Sequence, residues 1–299
     1  MNKLGFTLML LAILFLASLG ASKLLSIEIG NKIAIVKIQG AISSDSMKIP
    51  FQTSIATSSK IVEYLEAAEK SKAIKGIILE INSPGGTVLA SKDIADKVKS
   101  IEKPVVALIR DMGTSGGYWV ASAADKIVAD PMSVTGSIGV ISAYLEFSEL
   151  FEKYGITYEG MKSGELKDIG SPFKKLTDEE RKILQSKIDR IHEYFIKEVS
   201  TNRKLSEADT RELATGVYFL GEEAKEIGLV DYLGNRELAI NITKELAGID
   251  EASIVTYDET TDLLSLLSKL ETSGAYYFGK GFAAELRETK LEGIQNIRV

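Results

Sequence analysis

Short apolar segments alternate with amphipathic segments between residues 32 and 129 of this 299-residue chain, and glycine-rich turns separate them. Strands are predicted at residues 32–39, 76–82, 104–110 and 126–129, and helices are predicted at residues 58–73, 88–101 and 118–124. This alternation predicts an α/β fold in which helices cover a largely parallel sheet. In such folds, the loops at the carboxyl ends of the strands usually bind ligands.

After residue 167 the pattern becomes mainly helical. Thr177 and Glu180 have the spacing of a capping box, and a charged amphipathic pattern then continues to about Arg203. Shorter helices are predicted after Ser206 and at residues 222–227. A separate leucine-rich amphipathic stretch is predicted near the C-terminus, at residues 263–270.

The N-terminus has 19 consecutive uncharged residues, from Leu4 to Ser22. As a helix this segment would be roughly 28 Å long, which is enough to cross the hydrocarbon core of a membrane. A retained anchor and a cleaved signal peptide both stay open, because small residues near its end suit a signal peptidase. The chain is therefore divided into an anchor or signal (residues 1–24), a main domain (25–248) and a C-terminal extension (249–299).

The composition excludes several classes of function. A net charge of −6 and a pI near 5.2 provide no general attraction for nucleic acid, so we expect no nucleic-acid partner. The chain has no cysteine, which excludes thiol catalysis, disulfides and thiolate metal sites. Its single histidine, His192, argues against a zinc site, and we expect neither a metal nor another cofactor.

Ser115 lies between glycines in residues 113–117, after a predicted strand and before a predicted helix. Glycines permit a tight turn and let a substrate backbone approach the hydroxyl group. The amides at the start of the following helix point toward developing negative charge. This context suits a nucleophile, although an ordinary tight turn has the same short pattern.

A second glycine turn, at residues 84–86, ends the preceding predicted strand. If the two strands are neighbours in a parallel sheet, the two turns lie side by side. The amide of Gly116 and one amide from Gly85 or Gly86 would then form an oxyanion hole. The alternative is a purely structural turn.

Two kinds of base are candidates for activating Ser115. The G-x-S-x-G pattern is found in α/β-hydrolases, whose triad requires a histidine. His192, however, is predicted in the middle of a charged helix, where a solvated histidine is the more common case. A lysine can act instead if burial lowers its pKa toward neutrality, but composition does not choose among the lysines.

Four ordered motifs resemble the signal peptide peptidase A family, also called protease IV. They are INSPGG at residues 81–86, TSGGY at 114–118, TGSIGV at 135–140 and KSGELKD at 162–168. The segments AADKIVA at 123–129 and GLVD at 228–231 also resemble that family. The resemblance extends from about residue 33 to residue 235 and indicates a short, single-unit member.

The resemblance implies a Clp-protease/crotonase-like fold, with a repeated ββα core and a helical C-terminal part after one N-terminal transmembrane helix. It assigns Ser115 as the nucleophile and Lys167 as the general base. Lys162 is the nearest rival, but only Lys167 directly precedes an acidic residue and lies a few positions before Ser-Pro. Ser137 matches a serine that would orient Lys167. Thr114 stands where many relatives have alanine, which affects the expected substrate preference more than the activity.

The resemblance further implies a membrane-anchored endopeptidase that degrades cleaved signal peptides and other short or unfolded apolar chains. Relatives form rings or domes, so we expect a homo-oligomer whose subunits either share the dyad or each hold a complete one. The expected location is the cell membrane, with a single span and an extracytoplasmic catalytic domain. Alternatives are a related Ser-Lys protease that accompanies stomatin-like partners, an inactive peptide-binding scaffold and, less favoured, an acyl-CoA enzyme.

Overall fold

A computed structural model of the protein describes residues 30–44 and 55–258. These residues form ten strands: β1 (Lys32–Gln39), β2 (Ala41–Ser43), β3 (Ile55–Thr57), β4 (Ile74–Ser83), β5 (Val105–Thr114), β6 (Lys126–Ala129), β7 (Val134–Gly136), β8 (Tyr218–Leu220), β9 (Tyr232–Leu233) and β10 (Ser253–Tyr257). They also form eight helices: α1 (Ser58–Lys70), α2 (Val88–Ser100), α3 (Gly116–Ser122), α4 (Ser148–Lys153), α5 (Asp178–Arg203), α6 (Glu207–Leu213), α7 (Gly221–Glu226) and α8 (Arg236–Ala247).

Six strands form one parallel path in the order β10-β1-β4-β5-β6-β9. The short strand β7 runs parallel to the end of β5 and pairs antiparallel with β8. Strands β2 and β3 form a separate parallel pair. The carboxyl ends of β4 and β5 therefore lie next to each other at the centre of the sheet.

Side chains of the central strands alternate between two cores, because successive strand residues point to opposite faces. On one face, Ile33 and Ile35 of β1 pack in a cluster with Ala239 of α8. On the other face, Ala34 and Val36 join the larger cluster formed with α1, α2 and α3. A strand buried on both faces is apolar at almost every position, which explains the apolar pattern of these segments.

The predicted alternation of strands and helices is confirmed, with differences at the strand ends. β5 continues to Thr114, so part of the predicted glycine turn is strand. The strands β2, β3, β7 and β8 have no counterpart in the prediction, since each has three residues and shows no recognisable period. The resulting mixed α/β architecture, a parallel sheet between helices, fits the expected Clp-protease-like fold.

Helix α5 begins at the predicted capping box, in which Thr177 Oγ1 accepts from the Glu180 amide and Glu180 Oε2 accepts from the Thr177 amide. At the C-terminal side, the compact unit extends beyond the predicted boundary at residue 248, to Tyr257. β10 pairs with β1 and so supplies an edge strand of the main sheet. The predicted amphipathic stretch at residues 263–270 lies outside the described residues.

A buried ion pair fastens α5 to the loop before β9. Arg203, whose side chain is 7% exposed, donates to Asp231 Oδ2 at 2.9 Å and also to the Gly228 carbonyl. Tyr118 of α3 donates its hydroxyl to the Leu229 carbonyl of the same loop at 2.9 Å. Burial raises the pKa of Tyr118, so this hydroxyl stays protonated. Both α3 and α5 are thus held against one loop.

No helix within residues 30–44 and 55–258 is long and apolar enough to cross a membrane. The predicted anchor or signal, at residues 1–24, lies outside these ranges.

Candidate active site

Two glycine turns meet at the carboxyl ends of β4 and β5, where Ser83 is paired with Gly113. A Cβ atom added to Gly85 would lie 2.6 Å from the Gly116 nitrogen. One added to Gly117 would lie 2.9 Å from the Ser83 carbonyl oxygen. Real Cβ atoms do not come so close to backbone atoms, so only glycine permits this contact. The predicted side-by-side arrangement of the two turns is confirmed.

Ser115 joins β5 to α3 in a strained backbone conformation, with φ 51° and ψ −124°. Its amide donates to the Gly136 carbonyl at 2.8 Å, and its carbonyl accepts from the Trp119 amide at 2.9 Å. All seven residues of α3 are buried, so the helix supports the turn from behind. A strained strand-to-helix turn is typical of positions that present a nucleophilic serine.

The backbone amides of Gly86 and Gly116 are placed to bind an oxyanion. The Ile42 amide donates to the Gly85 carbonyl, and the Thr87 amide donates to the Ile42 carbonyl, both at 2.9 Å. In parallel pairing, the residue between two such bonds directs its own N–H away from the partner strand, so the Gly86 N–H faces away from β2. Gly116 is the first residue of α3, and its amide has no acceptor inside the helix.

Gly86 and Gly116 lie close together. A Cβ atom added to Gly116 would lie 3.2 Å from the Gly86 nitrogen. Of the two predicted alternatives, only Gly86 lines the pocket, and the Gly85 amide instead donates to Ser83 Oγ at 3.1 Å. Gly85 has a different role, since its contact with Gly116 brings the turns together. Oxyanion-hole catalysis needs two such donors at one place.

Ser137 follows β7 and is brought beside Ser115 by the pairing of β7 with β5, in which Thr114 lies opposite Gly136. Thr135 supports this pairing by donating its buried hydroxyl to the Gly113 carbonyl at 2.9 Å. Ser137 also has a positive φ, of 50°. Its hydroxyl donates to the Gly216 carbonyl at 3.0 Å, which leaves the oxygen lone pairs available to accept from another group.

Ser115, Ser137, Gly86 and Gly116 line one pocket with a volume of about 490 Å³. Helix α5 supplies a second part of the pocket wall through side chains spaced along one of its faces, as expected for positions i, i+3, i+4 and i+7. These side chains are Gln185, Ile188, Asp189 and His192. Apolar contributions come from Trp119, Val140, Ile141 and Phe195.

Lys167 does not line this pocket. It is exposed, in a series of turns after Ser163, and its amide donates to the Gly164 carbonyl at 3.1 Å. The described chain therefore brings together Ser115, Ser137, Gly86 and Gly116, and places the predicted base elsewhere on the same domain.

The residue after Lys167 anchors this segment through ion pairs. Asp168 accepts from Lys162 Nζ at 2.7 Å and from Lys174 Nζ at 3.0 Å. Lys174 also contacts Glu180 Oε1 at 2.5 Å, which connects the segment to the capping box of α5. Hydrogen bonds from Lys162 and Lys174 lower the pKa of Asp168 to about 2.

The expectation of a solvated His192 is wrong. The residue is half-buried and lines the Ser115 pocket, and its Nε2 atom is buried without a hydrogen-bond partner in the described part of the chain. This wall of the pocket was not predicted from the sequence. Its signal was present in the spacing of Ile188, His192 and Phe195, which places all three on one helix face.

No group of three or more potential metal ligands of the His, Cys, Asp or Glu type occurs within residues 30–44 and 55–258. The chemistry that this pocket can support on its own residues is acyl transfer. A serine at a strained turn is a candidate nucleophile, and the adjacent backbone amides are candidate oxyanion donors.

The sequence matches two family models. That of peptidase family S49 matches residues 97–250, and that of the NfeD1b N-terminal domain matches residues 47–146. Both ranges contain Ser115, and the first also contains Lys167 and His192.

Several known proteins are similar to this chain. A Methanocaldococcus jannaschii protein named as a protease is 35% identical over 99% of this chain and 97% of its own length. An Enterococcus faecium protein named as a signal peptide peptidase is 34% identical over 77% of this chain and 68% of its own length. Protease 4 of Haemophilus influenzae is 32% identical over 81% of this chain and 40% of its own length.

Among solved structures, a mutant of the membrane-bound stomatin-specific protease 1510-N is similar, with a TM-score of 0.51 and 15% sequence identity. The similarity covers 77% of this chain and 99% of that chain. At this identity the similarity concerns the fold alone.

The contact between the two turns predicts the effect of a methyl group at Gly85. In Gly85→Ala, the new Cβ would lie 2.6 Å from the Gly116 nitrogen at a φ of +96°. We expect the free energy of unfolding, measured by urea denaturation, to fall by about 2 kcal/mol more than in the control. The control is Gly155→Ala, which has a φ of +68° and no atom within 4 Å, and so has only the backbone strain of about 1–2 kcal/mol. Equal losses in the two variants would contradict the steric account.

The ion pairs of Asp168 predict its titration. Because its pKa is lowered to about 2, the stabilisation is present above the ordinary value near 4 and is lost as the pH falls through about 2. Lys174→Met should raise the Asp168 pKa toward its ordinary value, as measured by NMR titration of the carboxyl carbon. Lys175→Met is the control, because Lys175 pairs with Glu149 and leaves Asp168 unaffected. An unchanged Asp168 pKa in Lys174→Met would show that Lys174 does not hold this carboxylate.

Proposed function

The chain belongs to peptidase family S49, and we propose that it is a membrane-anchored serine endopeptidase that degrades cleaved signal peptides and other short or unfolded apolar polypeptides. Ser115 is the nucleophile and Lys167 is the general base in this proposal. The observation that carries it is the strained turn of Ser115 beside the amides of Gly86 and Gly116, in a pocket at the ends of parallel strands.

In the proposed mechanism, the neutral amine of Lys167 removes the proton from the Ser115 hydroxyl, and the Ser115 oxygen attacks a peptide carbonyl carbon. The amides of Gly86 and Gly116 stabilise the oxyanion that forms on the carbonyl oxygen. The amine product leaves with a proton from Lys167, and water then releases the acyl group from Ser115. Ser137 accepts a hydrogen bond from Lys167 and positions it.

Lys162 is less suited to act as the base. Its ammonium group is already engaged in an ion pair with the Asp168 carboxylate at 2.7 Å. Lys167 has no such partner among the contacts of the described residues. This difference supports the assignment of Lys167 over its nearest rival.

We further propose that Lys167 reaches the Ser115 pocket from a second copy of the chain. Lys167 lies outside the pocket of its own domain, and the segment before it exposes several large apolar side chains. Ile141, Leu145 and Met161 are 94%, 72% and 102% exposed, respectively. Exposed apolar side chains that cluster along one segment mark a protein–protein contact. A homo-oligomer would cover this segment and complete the dyad.

The alternative function is that of a stomatin-associated membrane protease. It is supported by the similarity of the fold to that of a membrane-bound stomatin-specific protease. The two functions share the dyad and differ in substrate, so cleavage rates on a signal peptide and on a peptide from a stomatin-like protein separate them. Preference for the stomatin peptide would favour the alternative.

The dyad predicts which substitutions abolish cleavage of a signal peptide by the full chain. Ser115→Ala and Lys167→Ala should each lower kcat by about 10⁴-fold or more, because each removes a reacting group. Lys162→Ala is the matched control and should keep most of the activity. An active Lys167→Ala variant would overturn the base assignment, and an inactive wild type would favour the peptide-binding scaffold.

Mixing the two inactive variants tests whether subunits share the dyad. If Lys167 comes from a neighbouring subunit, co-assembled Ser115→Ala and Lys167→Ala chains contain some sites with both groups intact, and about a quarter of the activity should return. If each subunit holds its own dyad, no site in the mixture is complete. The mixture would then stay inactive.

A further inference from the structure

The residue that follows the proposed base is a carboxylate. Asp168 is the direct neighbour of Lys167 in the chain, and because its pKa is lowered to about 2 it stays ionised near neutral pH. An ammonium group in an ion pair with a carboxylate has donors only and no lone pair that could take a proton. Lys167 can therefore act as a base only if Asp168 is kept from pairing with it.

Two other lysines occupy this carboxylate. Lys162 Nζ and Lys174 Nζ both contact Asp168 Oδ1, at 2.7 Å and 3.0 Å. Within residues 30–44 and 55–258, none of the ion pairs includes Lys167. Asp168 is thus bound by lysines six residues before and six residues after it, and not by the lysine next to it.

Lys174 is held more firmly than Lys162. Its Nζ atom also contacts Glu180 Oε1 at 2.5 Å, and the Glu180 side chain is only 4% exposed. The other carboxylate oxygen of Glu180 accepts from the Thr177 amide at 2.9 Å, in the capping box of α5. The Lys162 side chain is 39% exposed and pairs with Asp168 alone among the described residues. Lys174 is therefore the residue that ties Asp168 to the start of α5.

We propose that Lys174 is a positioning residue for Lys167: it holds the Asp168 carboxylate at the start of α5 and so leaves the Lys167 amine free to take the Ser115 proton. This inference rests on the proposed function, in which Lys167 is the base. It holds whether Lys167 serves its own chain or a second copy. Lys162 stays dispensable, because Lys174 still binds Asp168 when Lys162 is removed.

The variants are chosen so that α5 keeps its start. Lys174→Met alone would leave the buried Glu180 carboxylate without its ion-pair partner, which is costly. Glu180→Gln removes that charge and keeps the capping-box pattern, in which glutamine can replace glutamate. The test therefore compares Lys174→Met/Glu180→Gln with Glu180→Gln. These two full-length chains differ only at residue 174.

The reactivity of the Lys167 amine is the first readout, measured by mass spectrometry after brief acetylation with acetic anhydride. An ion-paired ammonium group reacts slowly, so the loss of Lys174 should lower the Lys167 acetylation rate about threefold or more. Adding Asp168→Asn to the same chain should restore the rate, because no carboxylate is then left to bind Lys167. Lys175→Met, which removes an exposed ion pair with Glu149, is the control and should keep the wild-type rate. A rate that does not fall, or that Asp168→Asn does not restore, would overturn the proposal.

Cleavage of a signal peptide by the same two chains is the second readout. The loss of Lys174 should lower kcat about threefold or more and change KM by less than about twofold, because Lys174 does not line the Ser115 pocket. An equal kcat in the two chains would overturn the positioning role. If the wild type cleaves no peptide while Lys167 acetylation follows the expected pattern, the hold of Lys174 on Asp168 stands and the proposed proteolysis fails.

Discussion

The contact between the turns after β4 and β5 determines where the rest of the site lies. Glycine at positions 85, 116 and 117 lets two backbones approach to a distance that no side chain permits. This approach places the Gly86 amide beside the Gly116 amide at the start of α3. The pairing of β7 with β5 then adds Ser137. The groups that line the candidate site are thus positioned by backbone geometry at the carboxyl ends of the central strands.

Ser115 can keep its strained conformation because the surrounding structure over-determines it. Its amide is bound by the Gly136 carbonyl, and α3 behind it is entirely buried. The loop before β9 holds α3 through Tyr118 and holds α5 through Arg203. Because α5 also forms a wall of the pocket, the same loop holds both the helix behind Ser115 and this wall. The packing of this loop and the shape of the pocket are therefore coupled in this domain.

Secondary structure and turns could be predicted from the sequence where a short pattern is compatible with only one local conformation. The buried strands, the capping box at Thr177 and the glycine turns around Ser115 have recognisable periods or turn chemistry, and all are found. The three-residue strands are too short to show a period, so the position of Ser137 beside Ser115 depends on tertiary pairing. His192 was misplaced because charged neighbours in a helix do not reveal which face the fold will cover. The position of Lys167 relative to Ser115 involves contacts between distant segments, which local patterns do not encode.

The role proposed for Ser115 is that of the activated nucleophile of this site. Its most direct test is mass spectrometry of the full-length protein after reaction with a β-lactone, which opens to an ester on a nucleophilic serine oxygen. We predict one adduct, located on Ser115 and lost in Ser115→Ala. An adduct on Ser137 or another residue that persists in Ser115→Ala would contradict it.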